Sequence, residues 1–223
     1  MAAPASPSGQ ARAERERARR EGFMRIAARV FRAQGLSGAT MEDVAAAAGV
    51  TKVVLYRRFA SKDLLIRAIF EEAVGRLAAA NADPWHGYGA GARMSLEAAR
   101  GFEDGYLLLM RDGRQQAAYR GYYDAVRART ARRLLRLLWF PGRQAPRPVS
   151  QQLLDLSLEP MVSFCNDALA HWVEHGDPAQ DDRYIRWCGV MIRAWRAEAA
   201  GLLGLEPLAQ DWPFESENDG PLT

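Results

Sequence analysis

The sequence predicts an all-α protein with an N-terminal three-helix, helix-turn-helix head and a larger C-terminal helical domain. Apolar residues recur three and four apart through successive segments, the period of a helix buried on one side. No segment alternates with period two over a useful length, so strands are not expected. Between Thr40 and Lys62 the pattern is tighter, with two short helices joined by a turn through Gly49.

Taken in order, residues 1–11 are rich in Ala, Pro, Ser and Gly and are expected to form a mobile arm. Composition turns helical from Ala13, and Phe23, Ile26, Ala27, Val30 and Phe31 give the first helix an amphipathic stripe. Gly35 and Gly38 end it. Thr40 then offers an N-cap, with Asp43 as its reciprocal partner in a capping box. Met41, Val44, Ala45 and Ala48 form one apolar stripe on a second helix that stops at Gly49. Thr51 caps a third helix running to Phe59. Ser61 caps a fourth, which carries Leu64, Leu65, Ala68, Ile69 and Ala73.

Residues 81–91, rich in Gly, Asp and Pro, read as a loop. Helices are expected near 92–111 and 113–139, the latter ended by Pro141, and 141–149 form a proline-bearing linker. Two longer helices follow near 150–175 and 181–204, parted by Gly176-Asp177-Pro178. The expected divisions are an arm at 1–11, the helix-turn-helix head at 12–62, a second domain at 63–206 and an acidic tail at 207–223.

Bulk properties narrow the function classes. The chain is 48% hydrophobic and 26% charged, the balance of a globular rather than a disordered protein. No stretch approaches ~18 consecutive apolar residues, so a membrane span is not expected. The first 20 residues lack the apolar core of a secretory signal. Two cysteines make no disulfide framework, and a cytoplasmic location is the expectation. Charge is unevenly placed. Residues 1–62 hold 12 Lys/Arg against 5 Asp/Glu, and the remainder 18 against 22. A basic head on a mildly acidic body points to a polyanionic partner at one end, although a solvated arginine-rich helix has the same composition.

The informative stretch is TMEDVAAAAGVTKVVLYRRFASK, Thr40 to Lys62. Glycine at residue 49 lets the chain reverse through positive φ without a Cβ clash. The small residues Ala45 to Ala48 let two helices approach closely at a steep angle. On a wheel, Lys52, Val53, Tyr56 and Arg57 span roughly 200–340°, while Val54 and Leu55 fall at about 40° and about 140°. One face thus carries a cation, a methyl-rich side chain, a phenol and a guanidinium, the groups that touch phosphates, thymine methyls and base edges. Lys62 and the helix start at 61–64 add a seat for phosphate.

Thr40-Met41, Val44-Ala45, Ala48-Gly49-Val50, Leu55-Tyr56, Phe59, Ser61-Lys62 and Leu64-Leu65 stand at characteristic offsets. Through them, residues 15–70 resemble the TetR family of transcription regulators. Val53 departs from the family, which often has a glycine or small residue there. Beyond residue 75 the likeness rests on length and helical content. The resemblance implies phosphate contacts from Thr40, Tyr56 and Lys62. It implies groove contacts from Thr51, Lys52 and Val53, with Arg57 reaching the backbone. It also implies double-stranded DNA as partner, and a C-terminal domain for effector binding and dimerisation. The corresponding role is a repressor released from a palindromic operator by a small molecule.

The second half offers partial physical support. Tyr184, Trp187, Cys188, Met191 and Trp195 repeat at helical spacing near the C-terminus. Leu153, Leu156, Leu158, Met161, Val162, Cys165 and Leu169 are too many for one narrow stripe. The excess is expected to meet a second copy across a four-helix interface, or else to be buried within the chain. Phe102, Tyr106 and Met110 share a helix face, and with Tyr123 and Phe164 they are candidates to line a pocket for an apolar or aromatic effector. The alternative for each is ordinary core packing.

His171 and His175, four apart, can face one metal ion, but they also suit a helix C-terminus, and no metal is expected. Cys165 and Cys188 are candidate redox sensors or buried structural thiols. No cofactor is expected. An enzyme is disfavoured, because no Ser/His/Asp set, phosphate loop or paired-carboxylate elbow is present among only three histidines. The competing reading is a helix-turn-helix retained as a scaffold for docking another protein.

Overall fold

Every regular element among the described residues is a helix. The computed structural model describes residues 7–80, 89–139 and 151–204. The head begins with α1 (Pro7–Gln34), α2 (Met41–Ala47), α3 (Lys52–Tyr56) and α4 (Lys62–Ala80). Then come α5 (Ala90–Arg100), α6 (Glu103–Leu108), a π-helical turn (Leu109–Gly113), α7 (Arg120–Trp139), α8 (Gln151–His175), a 3-10 turn (Pro178–Gln180) and α9 (Asp181–Leu202).

The chain divides into two compact units at places the sequence pattern does not mark. The first is Met1–Ala73 with Asp104–Arg120, and the second is Val74–Glu103 with Gly121–Thr223. The boundary expected at 62/63 therefore moves into α4. The reason is that Leu65, Ile66, Ile69 and Phe70, the first half of that helix, are fully buried. Burying each large apolar side chain is worth about 1.5–3 kcal/mol, which holds this half of α4 in the unit.

In the first unit, α1 buries Phe23, Met24, Ala27, Ala28 and Phe31. Ile26 and Val30 are only half-buried, so the stripe is rotated slightly from the one expected. The helix also starts at Pro7, inside the expected arm. Proline suits the first helical turn, and Gln, Ala, Arg and Glu downstream are good helix formers. The segment 104–120 packs here as well. Asp104 pairs with Arg32 at 2.9 Å and Arg29 at 3.6 Å, and the Tyr119 ring meets Phe70 edge-on with centroids 5.4 Å apart.

In the second unit, Leu134, Leu158, Met161, Val162 and Ile192 form one cluster, flanked by Phe164, Cys165 and Trp195. Ala199, Ala200 and Leu203 form another. Pro160 interrupts the hydrogen-bond ladder of α8 without ending it, because its neighbours Leu158, Met161 and Val162 stay buried. Arg100 fastens the α8–α9 connection, donating to the Val173 carbonyl at 3.1 Å and to Asp181 at 3.1 Å.

The helix expected over 92–111 is broken at Gly101, whose carbonyl accepts from Arg76 at 3.2 Å. Glycine's low helix propensity makes that break inexpensive. The helix expected from 113 begins instead at Arg120. The loop expected at 81–91 is described only from Gly89, with α5 starting at Ala90. The linker at 141–149 and the tail at 207–223 lie outside the described residues.

Candidate nucleic-acid interface

The turn between α2 and α3 is built from sequence-local chemistry. The Thr40 hydroxyl accepts from the Asp43 backbone N–H at 3.1 Å, and the Asp43 carboxylate accepts from the Thr40 backbone N–H at 2.8 Å. That reciprocal pair is a complete capping box. Both bonds with Thr40, and then the charge of Lys62, hold the Asp43 carboxyl below its ordinary value. At the other end Gly49 sits at φ +64°. Its N–H donates to the Ala46 carbonyl at 3.1 Å, and the next N–H, of Val50, reaches back to Ala45 at 3.0 Å. This is a Schellman stop, whose left-handed residue is glycine because a Cβ is strained there. Open space surrounds the missing Cβ, so backbone conformation rather than crowding selects glycine.

The turn delivers α3 with one side down and one side out. Leu55 is wholly buried and Val54 half-buried. On the opposite side Val53 is 67% exposed and Tyr56 38% exposed, with Thr51, Lys52 and Arg57 exposed beside them. Thr51 precedes α3 without a side-chain capping bond, leaving its hydroxyl uncommitted to the helix end. Thr40 is exposed as well as capping. Lys62, in the first turn of α4, is half-buried; its Nζ donates to the Ser37 carbonyl at 3.4 Å and lies 5.9 Å from the Phe31 ring centre. Ala46 and Ala47 are exposed, so only Ala45 and Ala48 serve the close helix approach expected of the run Ala45–Ala48.

Lys52 is not a free cation. Its Nζ is ion-paired with Glu42 of α2 and lies 5.5 Å from the centre of the Tyr56 ring. Glu42 escaped the sequence reading. Its place on the exposed side of α2, opposite Val44 and Ala45, was the available signal. Behind this face, Arg58 pairs with Glu16 and the Arg20 guanidinium covers the Phe59 ring at 4.9 Å. Two cations of the basic head are thereby used to fasten α1 to the end of α3. Arg15 reaches only the Ala11 carbonyl on its own helix, at 3.1 Å.

Of the five candidate pocket residues, Phe102, Tyr106, Met110 and Tyr123 are buried and Phe164 is half-buried. A cavity of about 500 Å³ lies between α8 and α9, lined by Ala168, His171, Trp172, Gln180, Arg183, Tyr184 and Trp187. Phe164 neighbours it, its ring centre 5.3 Å from that of Trp187. The spacing of Tyr184 and Trp187 was legible, but Trp172 escaped the sequence reading, because pairing it with α9 needs the turn geometry. The His171 and His175 rings meet edge-on at 4.8 Å. No group of three His, Cys, Asp or Glu side chains among the described residues is placed to hold a metal ion.

Burial pushes the Cys165 thiol up to about 12 and the Cys188 thiol to about 11. Of the apolar excess on α8 and α9, Leu158, Met161, Val162, Leu169, Tyr184 and Cys188 are buried within the chain. Leu153, Leu156, Trp187 and Met191 stay exposed, joined by Val190 and Leu202. Among the described residues, no helix is long and apolar enough to cross a membrane.

Residues 24–69 match the family model described as bacterial regulatory proteins, tetR family. No curated protein sequence matches the chain. Among solved structures, a tetR-family transcriptional regulator from Streptomyces coelicolor is similar at 18% identity and TM-score 0.59, over 84% of this chain and 87% of that one. A TetR-like transcriptional regulator from Rhodococcus sp. RHA1 has 25% identity and TM-score 0.58, over 81% and 96%. The ketosteroid transcriptional regulator KstR2 of Mycobacterium tuberculosis has 20% identity and TM-score 0.52, over 78% and 92%. The head at residues 24–69 thus matches the tetR family of bacterial regulatory proteins, and the chain shares the helical fold of solved regulators of that family.

Proposed function

We propose that this chain is a homodimeric, cytoplasmic repressor that reads a palindromic operator through α3 and is released from it by a small-molecule effector. The observation that carries the reading is the outward face of α3. A capping box and a glycine stop fix the two short helices, Leu55 anchors one side, and Lys52, Val53 and Tyr56 stand out on the other.

In the major groove, Lys52 donates to base acceptors, and the Val53 methyls suit a thymine methyl. Val53 replaces the glycine or small residue common in the family, so this position narrows the choice of base by shape. Thr51 reaches the same groove. Thr40, Tyr56, Arg57 and Lys62 contact phosphates and set the register. Pairing two such heads requires a twofold axis, and Leu156, Val190 and Met191 supply an apolar surface for it on α8 and α9. An effector can shift the dimer off DNA only by preferring one arrangement of the heads.

Fluorescence anisotropy with labelled duplexes over a salt series tests this. Binding should weaken steeply with salt as counterions are taken up again. Tyr56→Phe and Lys62→Ala should weaken all duplexes alike, whereas Lys52→Ala should blur preference at one half-site position. An absence of duplex preference at low salt would end the proposal and favour the protein-docking reading.

A further inference from the structure

The cavity between the last two turns of α8 and the first two of α9 has the features of a ligand site rather than a packing gap. At about 500 Å³ it falls within the ~300–1,000 Å³ usual for small-molecule pockets. Its walls are aromatic: Trp172 stacks on Tyr184 at 13° with centroids 5.2 Å apart, and Tyr184 adjoins Trp187 at 6.3 Å. The stack is held in place. The Trp172 indole N–H donates to Asp181 Oδ1 at 2.7 Å, and Arg100 donates to the same oxygen at 3.1 Å and to Oδ2 at 3.4 Å. A wall fixed before binding loses little entropy when a ligand arrives.

Charge selects the ligand class. No acidic residue lines the cavity. Of the acids nearby in sequence, Asp181 is paired with Arg100 and Asp182 with Arg93 at 3.0 Å, while Asp167 is exposed and outside the lining. Arg183 lines the cavity and makes no hydrogen bond or ion pair among the described residues. We propose that this cavity is the effector site, and that it takes a flat aromatic carboxylate whose ring seats against Trp172, Tyr184 and Trp187 while its carboxylate meets the Arg183 guanidinium. Planar rings favour offset stacking on such walls, and the guanidinium fork matches a carboxylate in geometry.

The assignment deepens the effector-controlled reading above, yet its test needs no DNA, so the two can fail separately. Isothermal titration of the full chain with 2-naphthoate should show one site per chain, with 2-naphthol binding more weakly. Arg183→Gln should weaken naphthoate by about tenfold or more, the loss of a charge-assisted hydrogen bond, and leave naphthol within about twofold. Ala168→Phe, at a half-buried position, should fill the cavity and remove both, with an unchanged circular-dichroism melt. No heat with millimolar naphthoate would overturn the proposal, as would naphthoate affinity indifferent to Arg183→Gln or Ala168→Phe. Binding that emerges only when Leu156→Glu separates the dimer would overturn it too, since a second copy would then be the occupant.

Discussion

The Tyr119 hydroxyl donates to the Asp63 carboxylate at 2.9 Å, joining a residue far along the chain to the first turn of α4. Arg67 donates to the same carboxylate at 2.7 Å and covers the Tyr119 ring at 5.6 Å. Within the first unit, this contact and the Asp104 pairs tie the 104–120 segment to two helices of the head. The 104–120 segment is thus bonded to both α1 and α4.

Tyr119→Phe should destabilise the chain by about 1 kcal/mol, the net worth of one hydrogen bond, read by urea unfolding. The Asp63 carboxyl is held below the ordinary carboxylate range, first by the Arg67 hydrogen bond and then by Tyr119. A folded value below the unfolded one means stability that is fully present above the ordinary carboxylate range. It is lost as pH falls through the depressed folded value. Asp63→Asn should therefore be less stable than the parent at about pH 7, by a margin that shrinks as pH falls below the ordinary carboxylate range. A constant difference across that range would show that the carboxylate charge contributes nothing.

Glu42 restrains Lys52. In the free protein the pair is more than half exposed, so each partner exchanges its contact for solvent at little cost. Glu42→Gln should tighten binding to non-specific duplexes by about two- to fivefold at low salt, and by less at high salt. Weaker binding in the variant would mean that Glu42 itself touches DNA.

Thiols raised to about 12 and about 11 are almost wholly protonated at neutral pH. Cys165 and Cys188 should react with a disulfide reagent such as Ellman's reagent only as fast as the chain unfolds. Rapid labelling of the native protein would restore a redox role.

Leu156 and Met191 stand exposed on α8 and α9 with no chain-internal reason to be apolar. Leu156→Glu combined with Met191→Glu should convert a dimer to a folded monomer by sedimentation velocity, with unchanged helicity. A dimer that survives both changes would place the twofold axis elsewhere.

The head was readable from the chain because its determinants are local. Thr40 and Asp43 are three apart, Gly49 ends its own helix, and the wheel of α3 separates Leu55 from Val53 and Tyr56 without reference to any distant residue. The second half was readable only as helices. Periodicity shows that α8 and α9 are apolar on several sides, but not that Leu158 and Met161 turn inward while Leu156 turns out. Likewise the spacing of Phe102, Tyr106 and Met110 does not reveal that α6 starts only at Glu103 and passes into a π-helical turn at Leu109. The Arg100–Asp181–Trp172 chain that shapes the cavity joins residues 81 and 9 positions apart. No local pattern encodes such a pairing.

Selection of bound duplexes from a random pool tests DNA reading by α3 most directly. The expected result is an enriched palindrome of two half-sites, with one half-site position relaxed when Lys52→Ala replaces the parent and not when Arg183→Gln does. A pool that leaves selection as random as it entered, or an enriched motif indifferent to Lys52, would contradict the assignment of α3 as the reading helix.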